Sequence, residues 1–274
     1  MNKLTTLSVL PEGCLSEILS ITSPRDVCSA AGITKAFKSA ADSDPVWERF
    51  LPPDYREVIA RAAAPVVFGS KKQLYRPLIR VVYPPRPWLF GKSINLAIRY
   101  FGFKLEKKSG KKCYMLGAKD LIFYMGEDED EAADNTLEWG HLPESRFEDV
   151  AIARDAWPLD IRGKIASVML SGKTTYVAYL VYQTTSDSYG LSNPSHTSVN
   201  FLGVWNGSTD VWLHNPWLRT SLRKRAQRKD GWKEVKLGEF YYDGENEGEV
   251  EMAFEEYEGF ISGFIVEGIE LRPK

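Results

Sequence analysis

Near its amino end the chain places apolar residues at helical spacing. After Leu10-Pro11-Glu12, the residues Leu15, Ile18 and Leu19 form one apolar stripe that can face a partner or a small core. Ser23-Pro24-Arg25-Asp26 then resets the chain: Ser23 can cap, Pro24 suits a first helical turn, and Asp26 completes a capping-box pattern. Thr34 before Lys35-Ala36-Phe37 and Ser43-Asp44-Pro45 before Val46-Trp47 repeat the start signal, with Phe37, Trp47, Phe50 and Leu51 as large apolar anchors. The pattern predicts three short helices ending at Pro52-Pro53. Helical spacing continues to about Arg80 through Tyr55, Val58 and Ile59 and then Leu74, Leu78 and Ile79, with Lys71, Lys72, Arg76 and Arg80 on a solvated basic face. The prolines of Pro84-Pro85-Arg86-Pro87 cannot continue a helix, and they set a domain boundary.

Beyond that boundary the period changes from helical to alternating. Leu159, Ile161 and Ile165 alternate with Asp160, Arg162 and Lys164, and Val250, Met252 and Phe254 alternate with Glu249, Glu251 and Glu255. Each set puts apolar side chains on one face of a strand and charges on the other. Residues 174 to 182, TTYVAYLVY, are apolar or aromatic on both faces, as a central strand requires. Further strands are expected at Lys119-Tyr124, Val199-Trp205, Val211-His214, Glu234-Tyr241 and Phe264-Leu271, which together imply an all-β sandwich or barrel. The chain is therefore expected to be α+β and multidomain: a helical module at 1–52, a helical linker at 53–83 and a mostly antiparallel β-domain at 84–274.

Composition supports a sizeable core, because 43% of the 274 residues are hydrophobic and 12% aromatic. A formal charge of -2 and a pI near 6.0 leave no global bias toward nucleic acid or anionic membrane. No apolar run is long enough for a bilayer, and Met1-Asn2-Lys3-Leu4 lacks the features of a secretory signal, so the expected location is nucleus and cytoplasm. Cys14, Cys28 and Cys113 form no CxxC pair, consistent with reduced thiols, and the sequon Asn206-Gly207-Ser208 is expected to stay unmodified.

The segment LPEGCLSEILSITSPRDVCSAAGITKAFKSAADSDPVWERFLP resembles an F-box over residues 7 to 52. That module docks ubiquitin-ligase substrate receptors onto a Skp-type adaptor, and the resemblance implies an adaptor face among Leu10, Pro11, Leu15, Ile18, Leu19 and Pro24. Acidic residues spread along the segment disfavour nucleic acid as the alternative partner. Four later stretches carry a second resemblance: SGKKCYMLGAKDL at 109 to 121, LPESRFEDVA with DIRGKI at 142 to 165, RKDGWKEVKLGEF at 228 to 240, and EGEVEM with IVEGIELRPK to the end. Together they are similar to the phloem-protein-2, or Nictaba-like, lectin domain of plants. The combination looks like a plant F-box protein of the phloem-protein-2-like B group. It implies a jelly-roll-like β-sandwich, an N-glycan or N-acetylglucosamine-oligomer ligand, and recruitment of targets to a Skp-cullin-F-box ubiquitin ligase with its RING subunit.

Sugar binding needs aromatic faces together with polar groups for the hydroxyls. Met125 and Leu137 stand where the family pattern carries aromatic platforms, and only Trp139 is retained. Asp134, Asn135, Glu138 and Trp139 are the candidate ligand residues, beside an acidic loop at 126–134 that suits a basic protein target equally well. Arg219, Arg223, Lys224, Arg225, Arg228 and Lys229 form a basic cluster, of which Arg223, Lys224, Arg225, Arg228 and Lys229 are the nuclear-import candidates. Ser171-Gly172-Lys173-Thr174 resembles the tail of a phosphate loop, but Ser167 occupies the place of its first glycine. His141, His196 and His214 lack metal-ligand spacing and no GxSxG elbow is present, so no metal, no cofactor and no catalytic residue is expected. The expected role is a non-catalytic substrate receptor for a protein or glycoprotein target; the alternative is a nuclear and cytosolic lectin without a ligase role.

Overall fold

The computed structural model describes residues 10–60, 67–78, 88–89, 97–98, 101–125, 136–213 and 228–274. Two compact units emerge, one comprising Met1–Arg86 with Phe103–Cys113 and the other Pro87–Gly102 with Tyr114–Lys274. The proline-rich connector at 84–87 lies outside the described residues.

Among the described residues, six helices build the first unit: α1 (Glu12–Ser20), α2 (Pro24–Ala30), α3 (Lys35–Asp42), α4 (Asp44–Phe50), α5 (Tyr55–Ala60) and α6 (Lys71–Leu78). Four of them precede Pro52, where the sequence pattern had suggested three. Pro45 has no N–H to donate, so a helix running on from Lys35 breaks, and the chain restarts with Pro45 in the first turn of α4. The local start signals act as the residue types dictate. Ser23 Oγ accepts from the Asp26 N–H at 3.2 Å while donating to the Asp26 carboxylate at 2.6 Å, and Thr34 Oγ1 accepts from the Phe37 N–H at 3.2 Å. Ser43 behaves differently: its hydroxyl donates to the Ala40 carbonyl at 2.7 Å, which closes α3 instead of capping α4.

The helical core gathers Leu15, Leu19, Val27, Val46 and Trp47, and α6 completes it with Leu74, Tyr75 and Leu78. Trp47 donates its indole N–H to the Ala41 carbonyl at 2.6 Å and packs against Tyr75 with ring centroids 5.2 Å apart. The basic face of α6 is engaged: Lys72 meets Asp42 at 2.5 Å and Lys71 meets Glu48 at 3.0 Å. The segment Phe103–Cys113 joins this unit through a 2.8 Å ion pair between Lys112 and Asp54. Short helices bury little area alone, and these additions extend the helical fold past Pro52.

In the second unit β1 (Trp88–Leu89) and β2 (Ala97–Ile98) form a two-strand ladder; β3 (Phe101–Leu105), most of which belongs to the first unit, follows. The remaining strands are β4 (Lys112–Gly117), β5 (Ile122–Tyr124), β6 (Thr136–Gly140), β7 (Val150–Arg154), β8 (Leu159–Ala166), β9 (Thr174–Tyr189), β10 (Ser195–Phe201), β11 (Val204–Val211), β12 (Lys233–Tyr242), β13 (Glu249–Glu256) and β14 (Ser262–Pro273). One antiparallel sheet runs β11-β10-β13-β8-β5; in the other, β12, β9, β14 and β4 lie side by side, with β7 pairing the first part of β14 and β6 pairing β7. The long apolar run at Thr174 is the buried centre expected of it, flanked by β12 and β14.

Aromatic contacts join the two sheets. Phe254 of β13 stacks on Phe264 of β14 at 5.9 Å, and Phe201 of β10 meets Phe240 of β12 at 5.3 Å. Outside, the alternating carboxylates of β13 pair with the alternating cations of β8, Glu249 with Lys164 and Glu251 with Arg162. Three expected strands need correction. Val199-Trp205 is two strands, because Leu202-Gly203 forms a hairpin turn within it; Lys119 lies in a short 3-10 helix, Ala118–Asp120, before β5; and the strand expected at Val211-His214 ends at Val211.

A buried ionic network ties together three of the four stretches that carry the second resemblance. Arg146 grips Glu267 at 2.5 Å and reaches Glu270 at 3.4 Å, while Arg228 reaches Glu270 at 2.6 Å and Glu234 at 3.0 Å. Glu267 and Glu270 are buried, so their charges depend on these guanidinium groups. Trp232 is fully buried beside them and donates its indole N–H to the Glu144 carbonyl at 3.2 Å.

Candidate functional site

On the helical unit the apolar stripe splits between inside and outside. Leu15, Leu19 and Pro24 are buried, Leu10 is half-buried, and Pro11 and Ile18 point outward. Ile18 keeps 42% of its surface exposed, and Ile21 and Ile33 keep 75% and 62%, although neither of the latter two had been singled out from the sequence. A stripe at i, i+3 and i+4 spans a broad arc of a helix, so one edge fills the core while the other stays free for a partner. Cys14 and Cys28 are exposed on the same short helices.

On the β-unit Trp139 sits in β6, opposite Ala151 of β7. Its ring is exposed, but the Lys119 ammonium lies 3.6 Å from the ring centroid and Phe123 meets it edge-on at 6.3 Å. One aromatic face is thus occupied by a cation, an interaction worth about 0.5–1 kcal/mol at an exposed site. Glu138 forms a 2.6 Å ion pair with Arg154, so its carboxylate is already engaged. Asp134 and Asn135 lie outside the described residues, as do the acidic loop and Arg219, Arg223, Lys224 and Arg225 of the basic cluster. Arg228 belongs to the buried network, and Lys229 lies in the turn that follows it.

The same division into a helical and a β part is found on comparison with known proteins. The F-box domain model matches residues 7–49, and the Phloem protein 2 model matches residues 111–273. F-box protein At2g02240 of Arabidopsis thaliana is 38% identical over 276 residues, covering 97% of this chain and 79% of its own. F-box protein PP2-B10 of the same plant is 38% identical over 272 residues, covering 96% and 92%. The chain belongs to the phloem protein 2 family. Its amino-terminal module makes it an F-box protein of that family, similar to the PP2-B proteins over nearly the whole chain. Among solved structures, a family 35 carbohydrate binding module from Clostridium thermocellum aligns over 58% of this chain and 96% of its own with a TM-score of 0.34 and 12% identity, too distant to bear on a ligand.

In this F-box protein the outward face of the smaller sheet centres on Arg162. Its guanidinium spans Asp160 at 2.8 Å, Glu251 at 2.9 Å and Glu255 at 3.1 Å, and lies 5.7 Å from the centroid of the Tyr124 ring. Burial first, and then the Asp160 carboxylate, hold Glu255 above the usual carboxylate range, with Arg162 opposing them. The face is an ion-pair lattice whose charges answer one another. At one end of the unit Trp157 and Phe260 are exposed with ring centroids 5.8 Å apart, and the Trp157 indole donates to the Tyr257 carbonyl at 3.0 Å. Ser171-Gly172-Lys173-Thr174 is a tight turn whose Gly172 lies against the backbone of Gly244, which leaves no cradle for a phosphate. Among the described residues, no group of His, Cys, Asp and Glu is placed to hold a metal ion.

Proposed function

We propose that this F-box protein is the substrate-recognition subunit of a Skp-cullin-F-box ubiquitin ligase. The helical module binds a Skp-type adaptor, and through it the cullin and RING subunits; the β-domain, a jelly-roll-like sandwich, captures a protein or glycoprotein target for ubiquitination and proteasomal degradation. The observation that carries the adaptor half is the exposure of Ile18 on α1, and of Pro11, Ile21 and Ile33 beside the helix ends, while Leu15 and Leu19 already fill a core. Exposed apolar groups clustered on one small module favour a partner surface. Such a receptor needs no catalytic residue, because it works by raising the effective concentration of a target lysine near a ubiquitin thioester. The protein acts in the nucleus and cytoplasm, with the basic cluster through Arg223, Lys224 and Arg225 serving import.

The test is co-purification of the full chain with a Skp-type adaptor, beside an Ile18→Asp/Ile21→Asp variant. Binding by the parent that is lost in the variant supports the reading; binding by neither, or by both equally, overturns it. A second reading is a glycan-binding lectin without a ligase role, favoured by the exposed ring of Trp139. A glycan array run with the parent and with Trp139→Ala separates the two, since only the lectin reading requires array binding that the substitution removes.

A further inference from the structure

The β-unit carries a groove of about 520 Å³ lined by Phe201, Leu202, Val204, Asn206, Tyr241 and Asp243, with Phe240, Glu239 and Thr175 completing it. Its floor is the Phe201 and Phe240 ring pair, 5.3 Å apart and well buried. Its rim is apolar and open to solvent: Leu202 is 54% exposed, Val204 71% and Tyr241 58%. Clustered exposure of this kind marks a binding surface more often than isolated residues do.

Leu202 holds a backbone conformation that disfavours it. It and Gly203 form the two-residue turn between β10 and β11, with φ of 52° and 79°. Turns of that hand favour Asn-Gly, because Asn tolerates the left-handed region and a leucine does not. Here a leucine takes the position and presents its side chain to water at the groove mouth. An outlier of this sort, where the chain keeps a costly conformation to expose an apolar group, points toward use of that group.

Both walls of the groove are sheet edges. β11 ends the order of the smaller sheet and β12 ends the order of the larger one. On β12 the Glu239 N–H turns away from β9 and is met by Asn206 Oδ1 at 3.3 Å. Strand backbone groups alternate in direction, so the N–H and C=O of Tyr241, two residues on, also face the open edge beside the apolar pocket. An open strand edge next to an apolar pocket suits an extended peptide.

The charge of the lining sets the flanking chemistry. Glu239 is matched by Lys236 at 2.8 Å and Lys274 at 3.1 Å. Among the described residues, Asp243 instead accepts from neutral donors, the backbone N–H groups of Asn246 at 3.0 Å and Glu245 at 2.8 Å and the Asn246 amide, which hold its carboxyl below its ordinary value. Among the described residues, no lysine or arginine lines the groove. We infer that this groove binds an extended peptide segment of a target protein through a bulky apolar residue flanked by lysine or arginine. The inference rests on the receptor reading above and assigns that receptor its recognition site.

The test uses the full chain and immobilised short peptides in a Gly-Ser frame carrying Leu, Phe or Trp, flanked by Lys or Arg, by Asp or Glu, or by Ser alone. Peptides with basic flanks should be retained about tenfold better than those with acidic flanks, and Tyr241→Ser should reduce retention about tenfold. Leu202→Asn relieves the turn, so its melting temperature should equal or exceed the parent's while retention falls; this separates binding from folding. Asp243→Asn should narrow the preference for basic flanks. Equal retention of acidic and basic sets, parent-like retention by Tyr241→Ser and Leu202→Asn, no retention of any peptide, or a glycan-array signal removed by Tyr241→Ser would each overturn the assignment. Adaptor co-purification in parallel keeps the two readings apart: lost peptide retention with intact adaptor binding removes the groove alone, and the reverse removes the ligase role alone.

Discussion

Removing Arg146 should expose how the β-unit holds its ends together. The guanidinium makes contacts of 2.5 to 3.2 Å with Glu267 and one of 3.4 Å with Glu270, and Glu267 has no exposed surface. In Arg146→Ala the Glu267 carboxylate keeps a backbone N–H at 2.6 Å and the Ser145 hydroxyl at 3.5 Å, but it loses its counter-charge. Glu270 retains Arg228 at 2.6 Å, so the damage concentrates on Glu267. Breaking one partner of a buried pair costs about 3–5 kcal/mol, and the surviving donors place this variant near 3 kcal/mol. Replacing both groups, Arg146→Met with Glu267→Met, removes the orphaned charge and should recover to within about 1 kcal/mol of the parent. Amide hydrogen exchange along β14 reads the β-unit without interference from the helical one. A loss below about 1 kcal/mol in Arg146→Ala, or a double variant no more stable than the single one, would refute an ionised, charge-compensated network.

Three further outcomes are expected. Leu15→Asp should unfold the helical unit because Leu15 is fully buried, whereas Ile18→Asp/Ile21→Asp should leave its circular dichroism unchanged while abolishing adaptor co-purification. Burial works against ionised Glu106, but the Ser109 and Lys108 N–H groups outweigh it and hold the carboxyl below its ordinary 4.5. A depressed folded-state value gives stability that is present above 4.5 and lost as pH falls through the folded value, so Glu106→Gln should flatten the acid limb of the helical unit's melting profile. Gly190→Ala should destabilise the β-unit by more than about 2 kcal/mol in urea unfolding, because its φ of +77° disfavours a side chain and the new Cβ would stand 1.9 Å from the Phe260 carbonyl oxygen.

What could be read from the sequence was local. Ser23 and Thr34 cap their helices because a hydroxyl three residues before an unsatisfied N–H needs no distant partner. The alternation in β8 and β13 was legible because one face meets a core and the other meets water. Leu202-Gly203 escaped notice because its first residue is not the one such turns favour, so a hairpin looked like an unbroken strand. The groove it borders escaped with it, since Phe201, Tyr241 and Asp243 are brought together only when β10 and β12 meet across two sheets.

By itself, the sequence determined the chain's two-part character, its helix starts, most of its strands and the family it resembles, all of which depend on residue type and near-neighbour spacing. Tertiary structure decided which edge of the α1 stripe is core and which is surface, because Leu15, Ile18 and Leu19 have the same chemistry and differ only in what packs against them. It also decided that Arg146 and Arg228 serve buried carboxylates instead of solvent, and that Lys119 covers Trp139. Those pairings join residues far apart along the chain, and only the closing of the sheets brings their charges and rings within reach.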